Sequence, residues 1–296
     1  MHGWIRECRS VRAVSAVGRL LRGEPLAVAG VVIYAVTIAT ALFATQLAPY
    51  DPRAILFAGH RIARYLPISG AHLLGTTADG RDVLSQLIYG ARAALEVGLT
   101  AAVTVVAIGT LLGLLAGYLG GWVDKLITRI ADIALGLPFL PFMLVLASLT
   151  APGTRVVIAT VALLLWPNTA RVIRAQVLSL RERAWVEAAR VTGCSSGRIM
   201  FVHVLPQVLP LAALYGSVAI GWAILAEAAA SFLGFGDPDS ISWGVMLQDA
   251  YANQALGRGA WNWFTPPGVA IVLLVLAGFL ISRGSEKLLF PKLAEP

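Results

Sequence analysis

The sequence predicts an all-α, polytopic membrane protein with about six transmembrane helices. Of its 296 residues, 58% are hydrophobic and only 13% are charged, whereas about a quarter of the residues in soluble domains are charged. The mean hydropathy is +0.77. Several windows reach the ~20 apolar residues that a helix needs to cross a bilayer. The net charge of +7 therefore describes membrane topology rather than a nucleic-acid partner.

Six apolar segments have the length of a membrane span. They are predicted at 26–48, 94–119, 131–150, 155–175, 207–231 and 267–283. The first follows several arginines, as the core of a secretory signal does, but its 23 residues exceed the roughly 7–15 residues of such a core. This segment is therefore predicted to be a membrane anchor.

Positive charge predicts the side of the membrane on which each loop lies. With six spans both termini share one side, and the segments on that side hold 16 of the 23 basic residues. These are Arg6, Arg9, Arg12, Arg19, Arg22, Lys125, Arg129, Arg171, Arg174, Arg181, Arg183, Arg190, Arg198, Arg283, Lys287 and Lys292. Cytoplasmic loops carry such an excess, so both termini are predicted in the cytoplasm. Cys8 and Cys194 then both lie where thiols stay reduced.

The spans divide the chain into five parts. They are a cytoplasmic segment 1–25, a first transmembrane helix 26–48, an extracytoplasmic loop with an interfacial helix 49–93, a five-helix core 94–283 and a cytoplasmic tail 284–296. The core contains a cytoplasmic region 178–206, between spans four and five, and an outer loop 232–266. An interfacial helix that leads into the second span is predicted from Val83, because Asp79-Gly80 favours a turn and Asp82 can cap a helix. Simple structural anchoring is the other interpretation of this helix.

The stretch WVEAARVTGCSSGRIMFVHVLP (185–206) interrupts the apolar sequence with small, polar and basic residues. Within it, GCSSG (193–197) fits the G-x-S-x-G pattern of serine hydrolases, and His203 lies nearby. A nucleophile elbow requires a strand before the serine, whereas the preceding SLRERAWVEAAR is rich in helix formers. The serines are therefore predicted to cap a short helix that begins near Gly197.

An ordinary solvated loop is the second interpretation of this stretch. Against it, residues with helical spacing predict an ordered helix with a face of small side chains. They are Leu178, Arg181, Ala184, Trp185, Ala188 and Ala189. A helix, a glycine turn and a capped second helix form a compact projection, which suits docking into a groove of a partner protein.

The same stretch resembles the cytoplasmic signature of permease subunits in binding-protein-dependent ABC importers. That signature is Glu-Ala-Ala, three residues, Gly, nine residues and Ile-x-Leu-Pro. Glu187-Ala188-Ala189, Gly193 and Leu205-Pro206 stand at these places, and His203 replaces the isoleucine, as in the peptide and nickel branch. The resemblance implies that Glu187 to Gly193, including Arg190, form a coupling helix that docks on an ATPase.

Four further segments extend the resemblance over nearly the whole chain. They are LGTTADGRDVLSQLIYGARAALEVG (74–98), DIALGLPFLPF (132–142), AEAAASFLGFG with SWGVML (226–247) and PPGVAIVLLVLAGFL (266–280). Together they resemble the second, C-type permease of dipeptide and oligopeptide systems. The tail departs from the family pattern at Phe279, Ser282, Arg283 and Phe290. This departure bears on the C-terminal contacts that the family makes with its ATPase.

The resemblance implies a non-catalytic subunit of the bacterial inner membrane that forms half of a translocation path. Peptides are the implied cargo, with nickel, opines, glutathione and short sugars left open. The implied partners are a second permease on a different chain, two P-loop ATPase subunits that bind ATP and Mg, an extracytoplasmic substrate-binding protein and membrane lipid, with no nucleic acid. A self-sufficient secondary transporter or channel is the alternative, which an inverted repeat would favour. The sequence lacks such a repeat.

This chain is not expected to hold ATP, another cofactor or a metal. A P-loop needs a lysine preceded by glycine, and Lys125, Lys287 and Lys292 follow Asp, Glu and Pro. The four histidines lack the spacing of metal ligands. ATP hydrolysis is therefore expected in separate subunits.

Polar residues within the spans are candidates for the translocation path. The predicted path residues are Asn168, Thr169 and Glu227. Trp166-Pro167-Asn168 is predicted to break the fourth span, which is tolerated where a helix lines a cavity. For Glu96, Asp132 and Glu227, which lie near span ends, structural pairing is the other interpretation.

Three tryptophans lie in the outer loop and at its end. Contact with the substrate-binding protein is predicted on loops 49–80 and 232–265, where Trp243, Trp261 and Trp263 cluster. An aromatic belt at the lipid headgroups is the other interpretation of these tryptophans.

Overall fold

The computed structural model describes residues 24–150, 152–237 and 239–289, and most of these residues are helical. The helices are α1 Pro25–Leu42, α2 Ala44–Leu47, α3 Val83–Leu119, α4 Gly121–Gly136, α5 Phe139–Leu149, α6 Thr154–Arg181, α7 Ala184–Val191, α8 Ser196–Arg198, α9 Leu205–Phe232, α10 Trp243–Ala252 and α11 Trp261–Leu289. A π-helical segment, Ile199–Val204, joins α8 to α9, and β1 (Phe57–Ala58) pairs with β2 (Arg61–Ile62) in an antiparallel hairpin. The predicted all-α class is confirmed. Predictions on 1–23 and 290–296 lie outside the described residues.

The number of spans agrees with the prediction, but the shape of one differs. Among the described residues, five helical stretches are individually long and apolar enough to cross a membrane, and α4 with α5 makes a sixth if the pair counts as one broken span. The two helices meet at an angle of 90°. The predicted span at 131–150 therefore consists of two helices with a bend between them rather than one continuous helix. The cause is Pro138, because a proline disfavours helical geometry in the residue before it, and Leu137 is extended with ψ 125°.

Helix α3 runs without interruption over 37 residues, about 55 Å at 1.5 Å per residue. The predicted helix from Val83 thus leads into the second span without a break at residue 94, and its interfacial role stays a prediction. The predicted helix N-cap at Asp82 is confirmed, since its carboxylate accepts the N–H of Ser85 at 2.8 Å. The hydrocarbon core of a bilayer is only about 30 Å thick. The first turns of α3 extend beyond it and pack on α10, where Val83 shares a buried cluster with Met246.

Helix α6 is continuous through Pro167, so the predicted break of the fourth span is wrong. Close packing against α3 accounts for its continuity at this point. A Cβ atom at Gly113 of α3 would lie 2.5 Å from the carbonyl oxygen of Ala170, and one at Gly109 would lie 2.6 Å from the Cβ atom of Thr169. Gly117 continues this stripe one turn further, against Val177. The two backbones approach as closely as small residues allow.

Two ion pairs join α4 to α6. The guanidinium of Arg174 donates to both carboxylate oxygens of Asp124, at 2.5 and 2.6 Å. Arg171 donates to Asp132 at 2.6 Å. Residues three apart are neighbours on a helix surface, so both arginines hold α4 from one face of α6. Asp132 is therefore paired with Arg171, which agrees with the structural interpretation of this residue.

Residues 49–82, α10 and the first turn of α11 form a cap at the N-terminal end of α3. Trp243 and Trp263 are buried in this cap, 5% and 2% exposed, whereas Trp261 is 61% exposed. The indole Nε1 of Trp243 donates to the carbonyl of Leu87 at 2.9 Å. A surface role for the tryptophans, at a binding protein or at the headgroups, is therefore wrong for Trp243 and Trp263. For Trp261 it stays a prediction.

We expect Trp243→Phe to lower the free energy of unfolding by about 1–2 kcal/mol, because it removes the bond to Leu87 and part of a buried ring. The melting temperature of the purified chain in detergent measures the change. Trp261→Phe is the matched control and is expected to melt with the wild type, since Trp261 is largely exposed. Equal melting temperatures for the two variants would contradict the role of Trp243.

A candidate docking site at the end of the bundle

The predicted coupling region lies at the end of the bundle opposite the cap, and α3 connects the two. Val83, the first residue of α3, packs beside Trp243 in the cap. Tyr118, in the last turn of α3, packs with Val186 of α7. The guanidinium carbon of Arg190 lies 5.8 Å from the centroid of the Tyr118 ring, within the range of a cation–π contact. Helix α7 is thus held against the C-terminal end of α3.

The single helix predicted over this region is two helices. α6 ends at Arg181 and α7 begins at Ala184, with Arg183 extended between them. The local sequence is rich in helix formers and gives no signal for the break. Burial explains it, because the change of direction places Val186, which is fully buried, in one cluster with Ile199.

The turn after α7 has the predicted form. Gly193 has φ +82°, in the left-handed region that favours glycine. Its N–H bonds to the carbonyl of Arg190, and the N–H of the next residue bonds to that of Ala189, each at 3.0 Å, which is a Schellman motif. The hydroxyl of Ser195 caps α8 by accepting the N–H of Arg198 at 3.4 Å. The predicted helix, glycine turn and capped second helix is confirmed as a structure.

Helix α7 turns one continuous face to solvent. Four exposed residues follow the i, i+3, i+4, i+7 spacing of a single helical face: Ala184, Glu187, Ala188 and Val191. The side chain of Val191 is 83% exposed, whereas Val186, on the opposite side, is fully buried. Val191 was absent from the predicted docking residues, although its spacing from Glu187 and Ala188 could have identified it. A small, apolar face with one acidic group suits a groove in another protein.

The other predicted docking residues differ in exposure. Arg190 and Gly193 are exposed, whereas Ala189, Leu205 and Pro206 are half-buried. Leu205 packs on the cluster beneath α7. Pro206 lies in the first turn of α9, directly after the π-helical segment. These half-buried residues shape the projection rather than its outer surface.

Ser195 and His203, the residues of the hydrolase alternative, both have structural partners. Ser195 caps α8, and the ring of His203 lies 6.5 Å from that of Trp185, centroid to centroid. The element before the serine is a helix, where a nucleophile elbow requires a strand. His203 belongs to the π-helical segment, a rare conformation that is frequent at functional sites. This segment joins the docking projection directly to α9.

The predicted path residues have different surroundings in the single chain. Asn168 is exposed on α6. Thr169 is 2% exposed and faces Gly109 of α3. Glu227 is 6% exposed, and its carboxylate accepts the hydroxyl of Ser231 at 2.7 Å. The role of these three residues in a path stays a prediction.

Similarity to known proteins extends over both ends of the bundle. The model of the family described as binding-protein-dependent transport system inner membrane component matches residues 109–295, which include α7 and its glycine turn. The chain is 40% identical over 273 residues to the dipeptide transport system permease protein DppC of Escherichia coli strain K12, covering 91% of this chain and 90% of that protein. It is 34% identical over 275 residues to the protein of the same name from Alkalihalophilus pseudofirmus, covering 92% and 88%. This chain is therefore a multi-pass membrane protein that belongs to the family of inner membrane components of binding-protein-dependent transport systems.

Proposed function

We propose that this chain is a permease subunit of an ATP-driven importer and forms half of the translocation path for di- or oligopeptides or a related small solute. The observation that carries the proposal is the exposed face of α7, which is small, apolar and fixed to the end of α3. The names of the two dipeptide permease relatives support a peptide cargo. In this proposal Glu187, Ala188, Arg190 and Val191 contact the ATPase directly.

The energy source lies in partner subunits. None of the three lysines of this chain has the preceding glycine of a P-loop. Two P-loop ATPase subunits bind ATP with Mg and dock beneath two permeases, of which the second is a different chain. Closure of the ATPase pair moves the α7 projections together and reorients the spans. An extracytoplasmic binding protein delivers the solute at the cap.

The orientation follows from the same assignment. Because α7 meets a cytoplasmic ATPase, both termini lie in the cytoplasm and the cap lies outside the bacterial cytoplasmic membrane. Asn168, Thr169 and Glu227 are the proposed polar groups along the path. Asn168 is the most accessible of the three, since it is exposed in the single chain.

This function is tested by gentle extraction of the tagged chain from its native membrane. Mass spectrometry then identifies the proteins that accompany it. Two P-loop ATPases and a second permease are the expected companions. A chain that emerges alone and still moves solute without ATP would overturn the proposal in favour of a self-sufficient secondary transporter.

A further inference from the structure

The cap contains a cavity of about 620 Å³ that the docking site does not use. This volume falls within the roughly 300–1,000 Å³ of small-molecule sites. The cavity lies between the start of α3, the segment after α9, and α10. Its lining is polar and carries both signs of charge, including Arg53, Asp79, Arg81, Gln248 and Asp249.

Two of these charged groups have side-chain atoms without a hydrogen-bond partner in the part of the chain that the structure describes. The Nε atom of Arg81 is buried and has no hydrogen-bond acceptor. The carboxylate of Asp249 takes part in none of the ion pairs or hydrogen bonds of the described residues. Arg53 differs, because its guanidinium donates to the backbone carbonyl of Asp239. Arg81 and Asp249 attract each other, but no hydrogen bond joins their side chains among the described residues. Buried polar groups are normally hydrogen-bonded, so both side chains remain available to a ligand in this cavity.

The electrostatics of Asp249 favour a cationic group beside it. Burial raises the pKa of the Asp249 carboxyl, the charge of Arg81 opposes this rise, and the carboxylate of Asp79 adds to it. A carboxylate that is partly desolvated and close to a second carboxylate gains from an ammonium group between them. Arg81, on the same cavity, presents the planar donor group that suits a carboxylate.

We infer that this cavity binds a zwitterionic small molecule, with its ammonium group on Asp249 and Asp79 and its carboxylate on Arg81. The inference rests on the proposed import function and specifies it, since a short peptide with free termini has these two charges at its ends. The cavity is then an outer subsite on the permease itself, next to the point where a binding protein releases its solute.

A diazirine-bearing dipeptide tests the subsite in the purified importer complex without its binding protein. Irradiation is expected to label residues lining the cavity, in 79–86 or 242–249, and excess unlabelled dipeptide is expected to prevent this. Asp249→Asn is expected to reduce the labelling at least ten-fold. Arg61→Gln, on the exposed hairpin outside the cavity, is expected to leave it unchanged.

Modified probes show which end of the peptide each residue binds. N-acetylation is expected to weaken labelling of the wild type and to have no further effect in Asp249→Asn. Amidation of the carboxyl end is expected to have no further effect in Arg81→Gln. Asp249→Asn is expected to keep the fold, because burial already disfavours the charge that this change removes. Labelling outside the cavity, or equal labelling of wild type and Asp249→Asn, would overturn the inference.

Dipeptide uptake into proteoliposomes separates this inference from the proposed function. If uptake depends on ATP but Asp249→Asn and Arg81→Gln are labelled as strongly as the wild type, the subsite is overturned. The proposed importer function is then unaffected. Absence of ATP-dependent uptake by the wild-type complex overturns the importer itself. Labelling of the binding protein alone, when that protein is added back, assigns peptide contact to the binding protein and also overturns the subsite.

Discussion

Ala188→Trp is expected to reduce the ATPase that co-purifies with this chain at least ten-fold, which corresponds to about 1.4 kcal/mol or more of binding free energy. The indole would project from the centre of the exposed face of α7, beside Ala184, Glu187 and Val191. Because Ala188 has no buried contacts to lose, the chain itself is expected to fold. The ratio of ATPase to permease after affinity purification measures the effect, and ATP-driven uptake is expected to fall in parallel.

Matched variants limit the explanation to docking. Ala188→Ser keeps a small side chain and is expected to retain the ATPase. Arg61→Trp adds the same indole to an exposed position in the cap and is also expected to retain the ATPase. Gly193→Trp is a poorer test, since its φ of +82° would strain any side chain and confuse misfolding with lost docking. Full recovery of ATPase with Ala188→Trp would show that α7 is not the docking element.

Gly113→Ala is expected to destabilise the chain, although glycine-to-alanine changes within helices usually stabilise by about 0.5–1 kcal/mol. The added Cβ would lie 2.5 Å from the carbonyl oxygen of Ala170 and 2.9 Å from the Cβ atom of Ile173. Neither neighbour is the flexible end of a side chain, so α3 and α6 must separate. Overpacking of this kind costs about 1–3 kcal/mol. The melting temperature of the purified chain in detergent is expected to fall accordingly.

Gly136→Ala provides the control for this change. Gly136 is also helical, but apart from its chain neighbours and the backbone of its own helix no atom of the described residues lies within 4 Å of its added Cβ. This variant is expected to melt at or slightly above the wild-type temperature. If both variants melt together, close approach at Gly113 does not support the α3–α6 contact.

Two prolines show why the fold could be predicted only in part. Both Pro138 and Pro167 follow an apolar residue within an apolar segment, and the same local rule disfavours a helix before each. The chain bends by 90° at the first and continues as α6 through the second. The difference comes from α3, whose glycines lie against the residues after Pro167. That contact joins segments about sixty residues apart in the sequence, and the local pattern does not contain it.

The candidate site was more predictable than the cap for a similar reason. The turn at Gly193 and the helix cap at Ser195 depend on neighbours within a few residues, so the sequence pattern predicts both. The burial of Trp243 depends instead on Gly90 of α3, where a Cβ would lie 2.4 Å from the indole ring. Likewise, Arg81 and Asp249 meet at one cavity only after the cap has folded.

The length of helix α3 determines how far its outer end moves when the helix tilts. It is one rod of about 55 Å, with the docking projection at one end and the outer cavity at the other. The glycine stripe brings α6 into close contact along this rod. In the proposed import cycle, a tilt of about 5° about the docking end of α3 moves its far end by about 5 Å, because the displacement grows with the length of the helix. In that cycle, the number of residues in α3 determines how far the helix can move at the outer cavity.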